Sequence, residues 1–301
     1  MKLAVTGGTG FVGARLIDRA VAAGYQVVAL TRRDQPAREH VRWVRGSLEQ
    51  REALESLVSE ADAIIHVAGV ISARTMAEFE LGNVSGTLAM LAAATAGGVQ
   101  RFVHVSSLAA REPKLSLYGA SKARAEELVR GSGLDWAIVR PPAVYGPGDK
   151  ETLELFRMAR IGLMLMPPRG RLSLVHVDDL AQLLLALTAA NAPSSLTIEA
   201  DDGKANGWTH REFATALGEA LGTKPVIVSS PGMLLRLAAR ADQLMRGPNA
   251  KLTVDRAAYF SHKNWVVDPR LGVPPGLWRP QVPTIEGLAE TAAWYRERKW
   301  L

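Results

Sequence analysis

At 301 residues, with 48% hydrophobic and 22% charged residues, the chain has an ordinary globular composition and the length for one large domain or two modest ones. It contains no cysteine, which excludes disulfides, thiol catalysis and cysteine-ligated metals and fits a reducing, cytoplasmic setting. The net charge of +6 comes from arginines scattered without a basic tract or interleaved aromatics, so it reads as general surface charge and not as a nucleic-acid footprint.

Leu3-Ala4-Val5 is the first apolar run. It lies so close to Met1 that no leader peptide is expected, and no later run approaches the length of a membrane span. Thr6-Gly7-Gly8-Thr9-Gly10-Phe11-Val12-Gly13 follows, and then an amphipathic segment over 14–23 that stops at Gly24. Strand, tight turn and helix in that order form the context of a phosphate-binding loop. The spacing is Gly-x-x-Gly-x-x-Gly: Gly10 leaves room for a pyrophosphate to approach the main chain, and Gly13 lets the helix pack close to the strand. The helix start then offers free N–H groups and a positive dipole end to the phosphates.

Val27-Val28-Ala29-Leu30-Thr31 reads as the second strand, whose end should meet the adenosine ribose of a bound dinucleotide. An Asp or Glu there would accept hydrogen bonds from the ribose hydroxyls of NAD. This chain has Thr31 followed by Arg32 and Arg33, and guanidinium groups suit a 2′-phosphate, so NADP(H) is expected with NAD as the alternative. Asp34 reads as a turn residue.

Val41-Arg42-Trp43-Val44 reads as a short third strand leading to Gly46-Ser47-Leu48, residues 52–59 as a helix, and Ala63-Ile64-Ile65-His66 as a buried strand entering the small-residue turn Val67-Ala68-Gly69. His66 is expected to be a packed strand histidine. Residues 76–96 read as one long helix carrying Asn83 and ended by Gly97-Gly98. Arg101-Phe102-Val103-His104-Val105 is the next strand and finishes in Ser106-Ser107. Eleven residues beyond Ser107 comes Tyr118-Gly119-Ala120-Ser121-Lys122, opening a helix that continues to Arg130.

Tyrosine and lysine at i and i+4 lie on one face, one turn apart. A phenol titrates near pH 10, and a neighbouring ammonium is expected to lower that value so that Tyr118 can exchange a proton with a carbonyl or alcohol oxygen. Ser107 can hydrogen-bond the same oxygen. Lys122 would tune the phenol and hold the nicotinamide ribose.

The C-terminal third is less patterned. Residues 209–221 read as a helix with Thr209 as cap, Glu212 completing a capping box and Gly222 at its end. Residues 225–228 form a short strand, and 231–246 an apolar helix with Arg236, Arg240 and Arg246 along it. That helix suits a membrane surface or a partner, but a helix over a substrate pocket with its arginines in solvent is the preferred reading. Met164, Leu165 and Met166, before Pro167-Pro168, would suit a flexible apolar wall. His262 and Trp265 face either the pocket or the core. No metal-ligand spacing occurs among the six histidines.

In these motifs the chain resembles the extended branch of the short-chain dehydrogenase/reductase superfamily, in the NAD-dependent epimerase/dehydratase group. The resemblance rests on Thr6 to Gly13, His66 to Gly69, Asn83-Val84-Ser85-Gly86-Thr87, Val105 to Ser107, Tyr118 to Lys122, Arg140-Pro141-Pro142-Ala143-Val144-Tyr145-Gly146-Pro147-Gly148 and Val175-His176-Val177-Asp178-Asp179. It returns weakly in Gly287-Leu288-Ala289-Glu290-Thr291-Ala292-Ala293-Trp294-Tyr295. It implies an α/β fold with a Rossmann-type doubly wound parallel sheet over 1–200, a substrate-side insertion near 146–171, and a smaller substrate-capping α/β part over 201–301. Ser107, Tyr118 and Lys122 then fall on the family's catalytic positions. Gly7, Thr9, Gly10, Phe11, Val12, Leu48, Val67, Ala68, Gly69 and Asn83 fall on its cofactor contacts, and Pro141 to Val144 on the loop that faces the nicotinamide. Asp178 or Asp179 is expected to cap the helix that runs through Leu187.

The chain also departs from the family. Gly46-Ser47-Leu48 replaces a common Gly-Asp-Leu, Leu108-Ala109-Ala110 lacks the acidic pair of sugar-nucleotide dehydratases, and Pro142-Ala143-Val144 stands where sugar-nucleotide enzymes often place Asn. These changes, with the short gap from Ser107 to Tyr118, argue for a less polar substrate. The expected function is an NADP(H)-preferring oxidoreductase acting on a ketone or secondary alcohol, of a steroid-, flavonoid- or terpenoid-like kind. A nucleotide-sugar epimerase and a non-catalytic dinucleotide-binding assembly or regulatory subunit are the alternatives. The resemblance is compatible with a homodimer through the helix bearing Tyr118, although no spacing in this chain specifies one.

Overall fold

Seven parallel strands, in the spatial order 196–198, 135–139, 101–105, 63–66, 2–6, 26–31 and 41–45, form the sheet of the computed structural model. It describes residues 1–167, 169–247 and 254–301, with backbone alone at 234, 236, 238, 243 and 254. The predicted roles of Pro168 and of the Arg236 side chain therefore lie outside the described residues.

In chain order, β1 (Lys2–Thr6), α1 (Phe11–Ala22), β2 (Gln26–Thr31), β3 (Val41–Arg45), α2 (Arg51–Val58), β4 (Ala63–His66), α3 (Met76–Phe79), α4 (Gly86–Ala96), β5 (Arg101–Val105), α5 (Leu117–Arg130) and β6 (Asp135–Val139) alternate strand and helix. Then come β7 (Ala143–Tyr145), α6 (Leu153–Arg160), β8 (Leu163–Met166), β9 (Arg171–Leu172) and β10 (Leu174–His176). They precede α7 (Val177–Ala186) and the edge strand β11 (Leu196–Ile198). The chain ends in β12 (Trp208–Thr209), α8 (His210–Leu221), β13 (Val226–Ser229), α9 (Gly232–Arg246), α10 (Val254–Ser261), β14 (Asn264–Trp265) and α11 (Thr284–Glu297).

Two compact units result. The first comprises Met1–Pro141, Asp178–Glu199 and Arg270–Arg279, and the second Pro142–Val177, Ala200–Pro269 and Pro280–Leu301. The first holds the parallel sheet, whose central strands are buried on both faces, as their runs of Val, Ile, Leu and Ala require. Its core joins Val28 and Leu30 of β2, Leu54 and Leu57 of α2, Met90 of α4 and Phe102 of β5.

The second unit has its own core around Phe156, Phe213, Leu217, Leu288 and Tyr295. Its α8 begins with the expected capping box, in which Thr209 and Glu212 each accept from the other's backbone N–H, and ends at Gly222 with φ +73°. Trp265 is buried against Tyr259, with ring centroids 4.6 Å apart, and its indole N–H donates to the Tyr259 carbonyl at 3.0 Å.

One expectation needs correction. Residues 76–96 are not one regular helix, because a π-helical turn at Glu80–Ser85 separates α3 from α4. Packing explains the turn: a Cβ on Gly82 would fall 2.3 Å from the Val70 side chain, and Asn83 turns inward to bond the Val70 backbone. Asp178, expected with Asp179 as a candidate cap, also has partners on α1. It lies within the first turn of α7, which ends at Ala186, and takes hydrogen bonds from Arg15 and Arg19 of α1, the Arg19 bond measuring 2.9 Å. Burial alone would raise its pKa, but the hydrogen bonds from Arg19 and Arg15 outweigh it and hold the carboxyl below the usual aspartate range.

Candidate active site

The strand order reverses between β1 and β4, and the predicted residues of the first unit gather at the carboxyl ends of the strands around that point. Gly7 has φ +70°, and a Cβ there would lie 2.7 Å from the amide nitrogen of Ala68, so the turn after β1 sits directly against the turn after β4. Gly13 has no freedom at all, since a Cβ would fall 2.1 Å from the Gly7 carbonyl oxygen. Gly10 closes the turn by donating its N–H to Gly7 O at 2.9 Å. It also caps α1 without any side-chain hydrogen bond, and the first turn of that helix carries no acid. Thr9 and Gly10 are exposed, with Phe11 and Val12 half-buried behind them. An uncapped helix start beside an exposed main-chain turn fits a pyrophosphate.

At the end of β2 the Thr31 hydroxyl is engaged locally, donating to Arg33 O at 2.7 Å. Asp34 pairs with Arg45 at 3.0 Å and so is taken up by a cation of the chain itself. Arg32 and Arg33 are exposed, and neither guanidinium has a protein partner among the described residues. Leu48, beyond β3, packs on the sheet core and touches α4 at Gly86.

Beyond β4, a Cβ on Gly69 would lie 3.1 Å from Asn83 Oδ1 and 3.7 Å from Lys122 Nζ, which brings the three residues together. Asn83 is 1% exposed and fully used: Oδ1 accepts from Val70 N at 2.6 Å, and Nδ2 donates to Val70 O at 2.9 Å and to Ser121 Oγ at 2.8 Å. Val67 and Ala68 are half-buried, and Ala68 N donates to Thr6 Oγ1 at 3.1 Å. His66 is packed as expected. Its ring nitrogens meet Thr6 Oγ1 at 2.7 Å and Thr87 Oγ1 at 3.2 Å, and burial first, then the charge of Lys122, pushes its pKa down to about 3.

The three chemical residues converge because Ser116 caps α5, accepting from Gly119 N at 3.0 Å and starting the helix one residue before Tyr118. A Cβ on Gly119 would meet Ala109 O at 2.6 Å, so α5 lies tight against the turn that follows Ser107. Tyr118 is half-buried, with its ring 6.1 Å from that of Phe79. Its pKa moves opposite to expectation: burial raises it, and a side-chain hydrogen bond with Ser107 offsets only part. The physical reason is burial of the phenol, and the Lys122 ammonium donates to Val105 O at 2.8 Å. Lys122 is itself pushed down to about 8 by burial, which the nearby Glu126 carboxylate partly counters. Pro141 adjoins the cluster through its carbonyl, which accepts from Leu108 N at 3.0 Å. Val144 lies on β7 and belongs to the second unit.

Sequence reasoning missed the anchor beneath this cluster. Glu126 is 1% exposed and accepts from Ser106 Oγ at 2.6 Å, from Arg140 at 2.8 and 2.7 Å, and from Arg130 at 2.7 Å. Glu199 continues the network to Arg140 and Arg111. The available signal was a glutamate four residues past Lys122 on the same helix face.

The NAD dependent epimerase/dehydratase family matches over residues 3–198. The ceramide reductase of Caulobacter vibrioides is 36% identical over 99% of this chain and 96% of its own length. The 4-hydroxy-2-methyl-3-oxo-4-farnesyl-3,4-dihydroquinoline-1-oxide ketoreductase of Stigmatella aurantiaca is 33% identical over 86% of each. Among solved structures, UDP-glucuronic acid 4-epimerase from Bacillus cereus in complex with NAD superposes with a TM-score of 0.76 over 99% of both chains at 16% identity, which is a likeness of fold. With the glycine turn, the strand order and the Tyr118–Lys122 helix all on one sheet edge, the chain belongs to the NAD-dependent epimerase/dehydratase family.

Proposed function

We propose that the protein is an NADP(H)-dependent reductase that converts a ketone on a largely apolar molecule to a secondary alcohol. The observation that carries the reading is the meeting of Ser107, Tyr118 and Lys122 at the sheet edge next to the glycine turn. The names of the relatives from Caulobacter vibrioides and Stigmatella aurantiaca support the reductive direction and the apolar substrate. The guanidinium groups of Arg32 and Arg33, without partners among the described residues, and the capture of Asp34 by Arg45 support the 2′-phosphate.

A bound dinucleotide supplies the hydride that the substrate carbon receives. The chain's part is the proton and the charge. Tyr118, its pKa raised by burial, holds its proton at neutral pH and gives it to the carbonyl oxygen as negative charge builds there. Ser107 donates a hydrogen bond to the same oxygen and fixes its direction. Lys122, held by Val105 O, would supply positive charge one helical turn from Tyr118 and would hold the nicotinamide ribose. The main chain from Gly7 to Gly13 and the start of α1 bind the pyrophosphate.

The test is binding of NADPH and NADH to the purified protein, with Arg32→Asp alongside. The expected result is NADPH bound at least about tenfold tighter, roughly 1.4 kcal/mol, and a variant that loses the preference. Preference for NADH, or NAD(H) that purifies with the protein and does not exchange, overturns the NADP(H) assignment and puts nucleotide-sugar epimerisation first.

A further inference from the structure

The outer faces of the β8–β13 ladder and of α9, all in the second unit, expose apolar side chains to solvent. The register sets Val226 beside Leu163 and Val228 beside Leu165, and all four are exposed. Their alternates Met164 and Met166 enter the core. A strand pair with one face in water is normally polar on that face, and this one is apolar on both.

Helix α9 repeats the inversion. Ala239 is buried, while Met233, Leu237 and Leu244 are 73%, 52% and 89% exposed. At the helical repeat these three and the exposed Arg240 share one face. The ladder and the helix adjoin, because Ser230 N donates to Met166 O at 2.9 Å and Met233 is four residues past Ser229, at most about 14 Å of chain.

Charge says what covers such a surface. Residues 155–177 and 220–241, which include the ladder and most of α9, contain seven Arg or Lys and no Asp or Glu, against 36 and 30 in the whole chain. Their excess is +7, while the rest of the chain carries 29 Arg or Lys against 30 Asp or Glu, so the basicity of the protein lies in this region. Arg160, Lys224 and Arg240 are exposed and have no side-chain partner among the described residues. A second copy of the same face would bring like charges together. We infer that the β8–β13 ladder and α9 form a docking face for an anionic lipid bilayer. The exposed Leu, Val and Met side chains enter the boundary between headgroups and acyl chains, and the Arg and Lys stems lie along them with their charges at the lipid phosphates. The inference goes beyond the reductase reading, and its test reads vesicle binding and not turnover.

The experiment is co-sedimentation of the full chain with phosphatidylcholine vesicles, with and without phosphatidylglycerol. The protein is expected to bind the phosphatidylglycerol vesicles, to release as salt is added, and to stay off phosphatidylcholine alone. Arg160→Gln with Lys224→Gln should weaken binding roughly fivefold per charge. Leu165→Ser with Leu244→Ser should weaken it at least about tenfold. Thermal unfolding of each variant confirms that it is folded. Failure to bind phosphatidylglycerol vesicles, or undiminished binding by both folded variants, overturns the inference. So does a dimer that these substitutions disrupt while the protein stays off vesicles.

Discussion

Lys122 Nζ donates to the carbonyl oxygen of Val105 at 2.8 Å, tying the middle of α5 to the last residue of β5. Tyr118, one turn earlier, bonds Ser107, and Glu126, one turn later, bonds Ser106. Three residues spaced by four on one helix face thus grip three successive residues at the strand end. Helix periodicity and strand geometry together place Ser107.

Burial of the Lys122 ammonium works against folding. Its pKa falls from 10.5 to about 8, so below about pH 8 the folded state carries a charge that water would solvate better. Between those values the unfolded chain holds a proton the folded chain has lost, and stability rises with pH. Lys122→Met should therefore be more stable than the parent near neutral pH, by as much as about 3 kcal/mol. The gap should close as pH rises toward about 10.5, the unfolded value. Urea unfolding of both proteins at neutral and alkaline pH measures it, and a gap that ignores pH contradicts the account.

Tyr118→Phe keeps the ring against Phe79 and removes the proton donor. Ketone reduction should fall by about 10² to 10⁴. Dinucleotide affinity should change little, since the phosphate loop is untouched. Turnover and cofactor titration on the same preparation separate the two effects, and equal losses in both would assign Tyr118 to binding.

Gly13→Ala forces a methyl group to within 2.1 Å of the Gly7 carbonyl oxygen. The turn must open, at a cost of about 1–3 kcal/mol or more in stability, with dinucleotide binding lost. Gly24→Ala is the control. Its φ is +82° with open space around it, so about 1–2 kcal/mol of backbone strain should appear with cofactor affinity intact. Denaturant unfolding and a fluorescence titration decide between the two patterns.

Asp178→Asn removes the charge that Arg15 and Arg19 share. Both arginines are partly exposed, so the loss at neutral pH should be about 1–3 kcal/mol, less than for a fully buried pair. Because the folded pKa lies below the unfolded one, the contribution is complete above about pH 4 and fades as pH falls further. Parent and variant stabilities should therefore converge in acid. Divergence there would mean that the pair is not what holds α1 to α7.

By itself the sequence determined the local pieces. The strand–turn–helix at Gly7 to Gly13, the helix start at Tyr118 and the capping box at Thr209 and Glu212 all depend on residues a few positions apart, whose backbone preferences and hydrogen bonds are set by near neighbours. Only the tertiary structure decided which charges meet. Asp178 reads with Asp179 as a candidate helix cap, and its pairing with Arg15 and Arg19 of α1, 163 and 159 residues away, is visible only in the fold. The Tyr118 phenol reads as lowered by Lys122, but burial raises it. The π turn at Asn83 is likewise set by Val70, across a loop, and not by the helix sequence. Burial and long-range partners fix a side chain's charge state and direction, and neither is a property of a short stretch of chain.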